Sequence, residues 1–216
     1  MTKTVNYVAV LGDAIGSRRL LPRARTRLQA ALQAALRTEL NRRWRGDIAA
    51  RFAIARGDEI EGLLLGTRGL WEIAHFVRAQ FPEVDWIIAA GRGPLSTALG
   101  ATALEVDGPC FHIARLTLEA AKAERRVFAF GGFGERVDAL ATYYSALYWS
   151  WTPRQRHTAN LLRAGAGRGG GGGSRDDIVR RLKVHPTAVS HMKRRLAWPL
   201  VAAGDTMFQA ALREAS

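Results

Sequence analysis

The spacing of apolar positions changes period repeatedly along the chain, and each change predicts an element. An apolar run at residues 7–11 predicts a first strand that ends on Gly12-Asp13. Leu21, Leu28, Leu32, Leu36 and Leu40 then recur at spacings of four or seven, with alanines between. That is the period of one helical face, so residues 20–44 are expected to form a helix with this stripe in the core. Strand-like runs at residues 48–55 and 60–65 flank Gly57-Asp58, a strong local signal for a β-hairpin. Residues 70–81 predict a second amphipathic helix, apolar at Leu70, Ile73, Ala74 and Val77, stopped by Pro82. Residues 86–95 form a fourth strand ending in a Gly91-x-Gly93 turn, and 96–107 a loop or short hairpin. A third helix runs to about Lys122, a fifth strand covers 127–130, and a last helix spans 135–148. Tyr143, Tyr144, Tyr148 and Trp149 on that helix are expected in the core or in a dimer contact.

The order is therefore β-α-β-β-α-β-α-β-α. It places the chain in the α/β (α+β) class, a βαββαβ mixed sheet with packed helices. In such a sheet the first strand can lie beside the hairpin, which would bring Asp13 near Asp58. Two further carboxylates, Glu59 and Glu61, follow Asp58 where a structural turn needs neither.

The remainder reads as a separate module, with residues 1–150 one domain and 151–216 another. Thr152-Pro153 is a helix start, and residues 165–173 are a glycine-rich flexible segment. Ser174 then caps a short helix, with Asp176 and Asp177 in its first turn. A turn at Lys183–Pro186 leads to a second helix, apolar at Val189, Met192 and Leu196. Two short helices across a tight turn predict a small all-α helix-turn-helix domain. Thr187, Ser190 and His191 are its candidate base-reading residues, and Lys193, Arg194 and Arg195 its candidate phosphate contacts. The plainer alternative is a helical packing module with a solvated basic face.

Charge sharpens this division. Lys and Arg number 32 against 19 Asp and Glu, a net charge of +13. Residues 1–150 carry 20 against 15, and residues 151–216 carry 12 against 4, so the shorter part holds most of the excess. A basic module on a nearly balanced body suggests a polyanion partner, of which nucleic acid is the commonest; charge that serves solubility alone is the plainer alternative. One cysteine excludes a disulfide framework within the chain. No apolar run approaches the roughly 18–20 residues of a membrane span and no signal-peptide core is evident, so a cytoplasmic protein is expected. No histidine pair has metal-ligand spacing.

The candidate chemistry lies where strands end. Gly12, Ser17 and Arg18 occupy a glycine-punctuated strand-to-helix junction whose backbone N–H groups can hold phosphate. A tight turn capped by Ser17 would look the same. Gly12-Asp13, the Gly57-Asp58 tip, Gly91-x-Gly93 and Asp107-Gly108…Ala114-Arg115, taken in order, resemble the SatD family. More distantly they resemble the palm-like catalytic domain of class III nucleotide cyclases and diguanylate cyclases. Arg56-Gly57-Asp58-Glu59-Ile60 is similar to the GGDEF signature, with Arg for the first Gly and Ile for the Phe.

This resemblance, over about residues 5–135, implies a ferredoxin-like palm in which Asp13 and Asp58 hold Mg²⁺ or Mn²⁺ against a purine nucleotide's phosphates. Gly12, Ser17, Arg18, Glu59, Glu105, His112 and Arg115 are the nucleotide-binding candidates. It also implies a homodimer, since cyclase domains build their sites between subunits. The departures are specific. Ile54 stands where adenylate cyclases place an adenine-selecting lysine. Anchored on Gly108, the family's asparagine falls on His112 and its transition-state arginine on Leu116, leaving Arg115 about 100° away around a helix. Three functions follow as expectations: a DNA-binding regulator that senses a metal–nucleotide pair, an active nucleotidyl cyclase or nucleotidyltransferase with a DNA-targeting tail, or a scaffold that dimerises the helix-turn-helix.

Overall fold

A computed structural model describes residues 5–166 and 175–215. Five strands, β1 (Tyr7–Ile15), β2 (Ile48–Arg56), β3 (Glu59–Leu64), β4 (Asp85–Gly93) and β5 (Phe128–Gly131), form one mixed sheet in the order β2-β3-β1-β4-β5. β1 runs antiparallel to both its neighbours, β3 and β4, and β5 lies parallel to β4 at the edge. The hairpin turns at Gly57, whose φ of 60° is the left-handed conformation that glycine adopts without strain.

The first strand is longer than its apolar run. Gly12 and Asp13 do not end it; they pair with Ile88 and Ile87, and the ladder continues to Ile15 opposite Asp85. Gly91 and Gly93 likewise lie inside β4 rather than in a turn after it. In both places neighbouring-strand hydrogen bonds override the weak strand preference of Gly and Asp.

Helices cover both faces of the sheet. On one side lie α1 (Pro22–Ala35) with its continuation through a π-helical turn (Leu36–Leu40) into α2 (Asn41–Arg43), α3 (Leu70–Gln80) and α5 (Glu135–Ser150). Leucines four apart drift around an ideal α-helix. The wider π turn absorbs that drift and keeps Leu28, Leu32, Leu36 and Leu40 all buried. Leu21, one position outside the helix, is exposed and leaves the expected stripe. α4 (Pro109–Ala123) packs on the opposite face over Ala9, Leu11, Ile87, Ala89 and Ala129.

α6 (Pro153–Ala166) opens on a capping box, with the Thr152 hydroxyl accepting from Gln155 N–H while Thr152 N–H donates to the Gln155 side chain. α7 (Arg175–Leu182), α8 (Pro186–Arg195) and α9 (Trp198–Glu214) follow. The glycine run from residue 167 and the expected N-cap Ser174 lie outside the described residues. The apolar core passes without a break from α3 and α5 into this segment. Phe208 of α9 lies 4.6 Å from the Trp71 ring and 5.5 Å from Phe130.

Candidate functional site

Strand alternation decides which side chains share the α4 face. Leu11 of β1 stands opposite Glu61 of β3, so Asp13, Glu59 and Glu61 emerge on the side that carries Ala9 and Leu63. Asp58 sits half-buried at the hairpin tip. Above them α4 lies close to β4 because Gly91 has no side chain. A Cβ there would run into the Cys110 carbonyl and the Ala114 backbone of the helix. Cys110, Ala114, Leu118 and Ala121 make the buried face of α4, and Arg115 and Lys122, two turns apart, project from its flank.

These groups form one charged cluster. Arg115 bridges Glu59 and Glu61 through its two terminal nitrogens. Lys122 Nζ stands 3.6 Å from Asp13 and 3.1 Å from Glu119. Burial raises the Asp13 carboxyl above its ordinary range; Lys122 opposes this, while Asp58 and Glu59 add to it. Burial also raises Glu61, against the pull of Arg115. Four carboxylates thus face two α4 cations in a half-buried space, and the strip is short of positive charge. Among the described residues, no three carboxylate, histidine or cysteine side chains converge on one cation position.

Arg115 reaches the cluster and Leu116 is exposed, so the register taken from Gly108 does not govern which side chain faces the acids. Other expected residues engage elsewhere. Glu105 accepts from Ala101 N–H and the Thr102 hydroxyl within its own loop. His112 is exposed, 3.2 Å from Asp107. Ser17 is buried in a single 3-10 turn, and Arg18 beside it is exposed. Lys122 was absent from the sequence-derived set. Its signal is the seven-residue spacing from Arg115, which is informative only once α4 is known to cross the sheet at this place.

The second constellation is α8. Val189 and the following Leu196 are buried, while Ser190, His191, Arg194 and Arg195 are exposed and Lys193 half-buried. Thr187 is exposed, but its hydroxyl lies 2.9 Å from His185 Nδ1, the N-cap of this helix. A groove of about 570 Å³ separates α8 from the start of α6, lined by Arg154, Gln155, His191 and Arg195 among others. Among the described residues no helix is long and apolar enough to cross a membrane.

Comparison with known proteins places these features. The model of the SatD family matches residues 7–125, the stretch from β1 to just beyond α4 that holds every member of the charged cluster. No curated protein matches the chain.

Proposed function

The chain belongs to the SatD family over residues 7–125, and we propose from its C-terminal helices that it is a DNA-binding regulator with α8 as the recognition helix. The observation that carries this reading is the division of α8. One side is anchored in the core by Val189, and the other offers Ser190, His191, Arg194 and Arg195 to solvent. That is what a helix needs to enter a major groove, with small polar groups toward base edges and guanidinium groups toward phosphates. The net charge of +8 over residues 151–216 favours a polyanion in the same place.

Duplex binding measured against salt tests it. Arg194→Ala with Arg195→Ala should weaken affinity about tenfold at low salt and flatten the salt dependence by roughly two phosphate contacts. A variant that binds as tightly as the parent, with the same salt slope, overturns the assignment. DNA reading by paired half-sites would also make the protein a homodimer, which light scattering measures directly.

A second reading concerns the sheet, favoured by its strand order and by the carboxylate excess under α4. The order β2-β3-β1-β4, with the hairpin beside β1, supports a ferredoxin-like palm reading of the mixed sheet. The donor set does not make a free-standing cation cage. It does suit Mg²⁺, which characteristically takes one or two carboxylates and completes its shell with phosphate oxygens and water. Asp13 and Asp58 would hold that ion, and Arg115 and Lys122 supply positive charge for a nucleotide's phosphates. When bound, the ion would supply charge neutralisation between carboxylates and phosphates. Thermal shift with Mg²⁺ plus ATP or GTP checks this: a rise that Asp58→Asn abolishes supports a nucleotide sensor. Product formed from the nucleotide would make the domain a cyclase or nucleotidyltransferase, and the absence of any shift would leave a scaffold.

A further inference from the structure

The near balance of charge over residues 1–150 conceals one strongly basic stretch. Residues 14–38 contain six arginines, Arg18, Arg19, Arg23, Arg25, Arg27 and Arg37, and no Asp or Glu. Setting these six aside leaves 14 basic against 15 acidic residues over 1–150. All six are exposed, and among the described residues none of them makes an ion pair or a side-chain hydrogen bond. Their placement also works against the helix that carries them. α1 has no side-chain cap and no acidic residue in its first turn, where the helix dipole favours negative charge. Arg23 stands in that turn and Arg25 just past it.

Helical phase gathers three of these arginines on one side. Arg23, Arg27, Ala30, Ala34 and Arg37 follow one another at spacings of three or four, and all five are exposed. Leu28, Leu32 and Leu36 on the other side are buried. At 1.5 Å per residue the exposed track from Arg23 to Arg37 is about 21 Å long, and the alanines between keep it low enough for close approach. Past Arg37 the helix borders a groove of about 450 Å³ against β2, lined by Arg37, Arg51, Asn41 and Thr102 among others and by no carboxylate. Glu39, two residues on, accepts from Gln80 of α3 at 3.2 Å. Asp58 is the carboxylate of the hairpin tip, which Gln29 adjoins, and it forms no ion pair with these arginines.

We propose that this face of α1 is a second DNA surface, one that takes the phosphate backbone of a duplex without reading its sequence. A duplex carries one negative charge per about 1.7 Å of its axis, so a 21 Å track offers phosphate to every guanidinium along it. Arginine matches phosphate geometry with two parallel N–H donors. A lipid surface fits less well. A helix that lies on a membrane buries an apolar face there, whereas the leucine face of α1 is committed to the core and leaves only Leu21 exposed. The surface lies within the residues matched by the SatD model and outside the C-terminal helices. It therefore goes beyond the assignment of α8 and does not rest on it.

Binding of the full chain to a random-sequence DNA duplex, followed against salt, tests this. Arg23→Gln with Arg27→Gln should weaken affinity about tenfold at low salt and flatten the salt dependence by roughly two phosphate contacts. The loss should add to that of Arg194→Ala with Arg195→Ala when all four changes are combined. The same variant should melt at or above the parent temperature, since it relieves positive charge at the start of an uncapped helix. A slope and affinity equal to the parent's overturn the proposal and leave α8 as the DNA contact. A slope that falls in the α1 variant alone upholds it and removes α8. A parent that fails to bind duplex at low salt overturns both. So would lost binding with a melting temperature several degrees below the parent's overturn the α1 surface, by making the two arginines structural. Binding to phosphatidylserine–phosphatidylcholine vesicles that the variant loses while it keeps its duplex affinity overturns it in favour of a membrane surface.

Discussion

His75 shows how much a single side chain can set. Its ring packs against Trp71 at 4.5 Å, Phe128 and Tyr144. Burial holds it neutral with a pKa well below 6.5; Arg163 and Arg78 push the same way, and only the Asn160 side chain opposes them. A depressed histidine stabilises the fold fully above its unfolded value and loses that contribution as pH falls below 6.5. His75 should therefore cost up to about 1.4 kcal/mol per pH unit on acidification. Urea unfolding at pH 7 and pH 5 checks this, and His75→Phe should flatten the slope, leaving the weaker share of His157, which burial also lowers. Asp13 has the opposite sign. Its raised carboxyl pKa means that the charged form penalises the fold at neutral pH. Asp13→Asn should melt higher than the parent at pH 7. That gain should fade as pH falls through the native pKa and be gone below 3.8, where both forms are uncharged.

At the scale of elements, the sequence was most informative where period and turn chemistry agreed. The Gly57-Asp58 hairpin, the leucine stripe from Leu28 to Leu40 and the order of strands and helices are all present, because each is specified by neighbouring residues. What it could not supply was the partner. Gly12-Asp13 looks like a strand end until β4 is known to extend to Asp85 beside it. His75 and Arg78 look like ordinary mid-helix polar residues until α6 is laid across α3. The charged cluster was legible in its acids, which crowd at one hairpin, and only half legible in its bases, which depend on how α4 crosses the sheet. Gly91 fixes that crossing. Gly91→Ala must push α4 away from β4, and overpacking of this kind costs about 1–3 kcal/mol. The same shift should loosen the Arg115 bridge to Glu59 and Glu61, so any nucleotide-induced thermal shift should shrink in this variant. Denaturant midpoints and thermal shifts read the two effects separately.

Taken whole, the molecule is joined by its aromatic and ionic seam. Trp71, Phe128, Phe130 and Phe208 bring α3, β5 and α9 into one cluster. Arg163 of α6 makes a two-point pair with Asp205 of α9, at 2.6 and 3.0 Å, with both side chains largely buried. Arg163 also lies 5.0 Å from the Tyr144 ring of α5 and 5.6 Å from Trp198. A sheet and a helical segment sharing this core should unfold in one step, with tryptophan fluorescence and far-ultraviolet circular dichroism falling together. Asp205→Ala is the decisive perturbation because it strands a buried cation at the seam, which typically costs about 3–5 kcal/mol. If the seam couples the two parts, both signals should shift together in this variant. Splitting of the two transitions would mean that the C-terminal helices can detach while the sheet stays folded. The double variant Arg163→Met with Asp205→Leu should recover most of the loss, since apolar groups of similar volume fill the site without an uncompensated charge. Recovery of stability with one shared transition would assign the coupling to packing across the seam, and the ion pair to setting the register of α6 on α9.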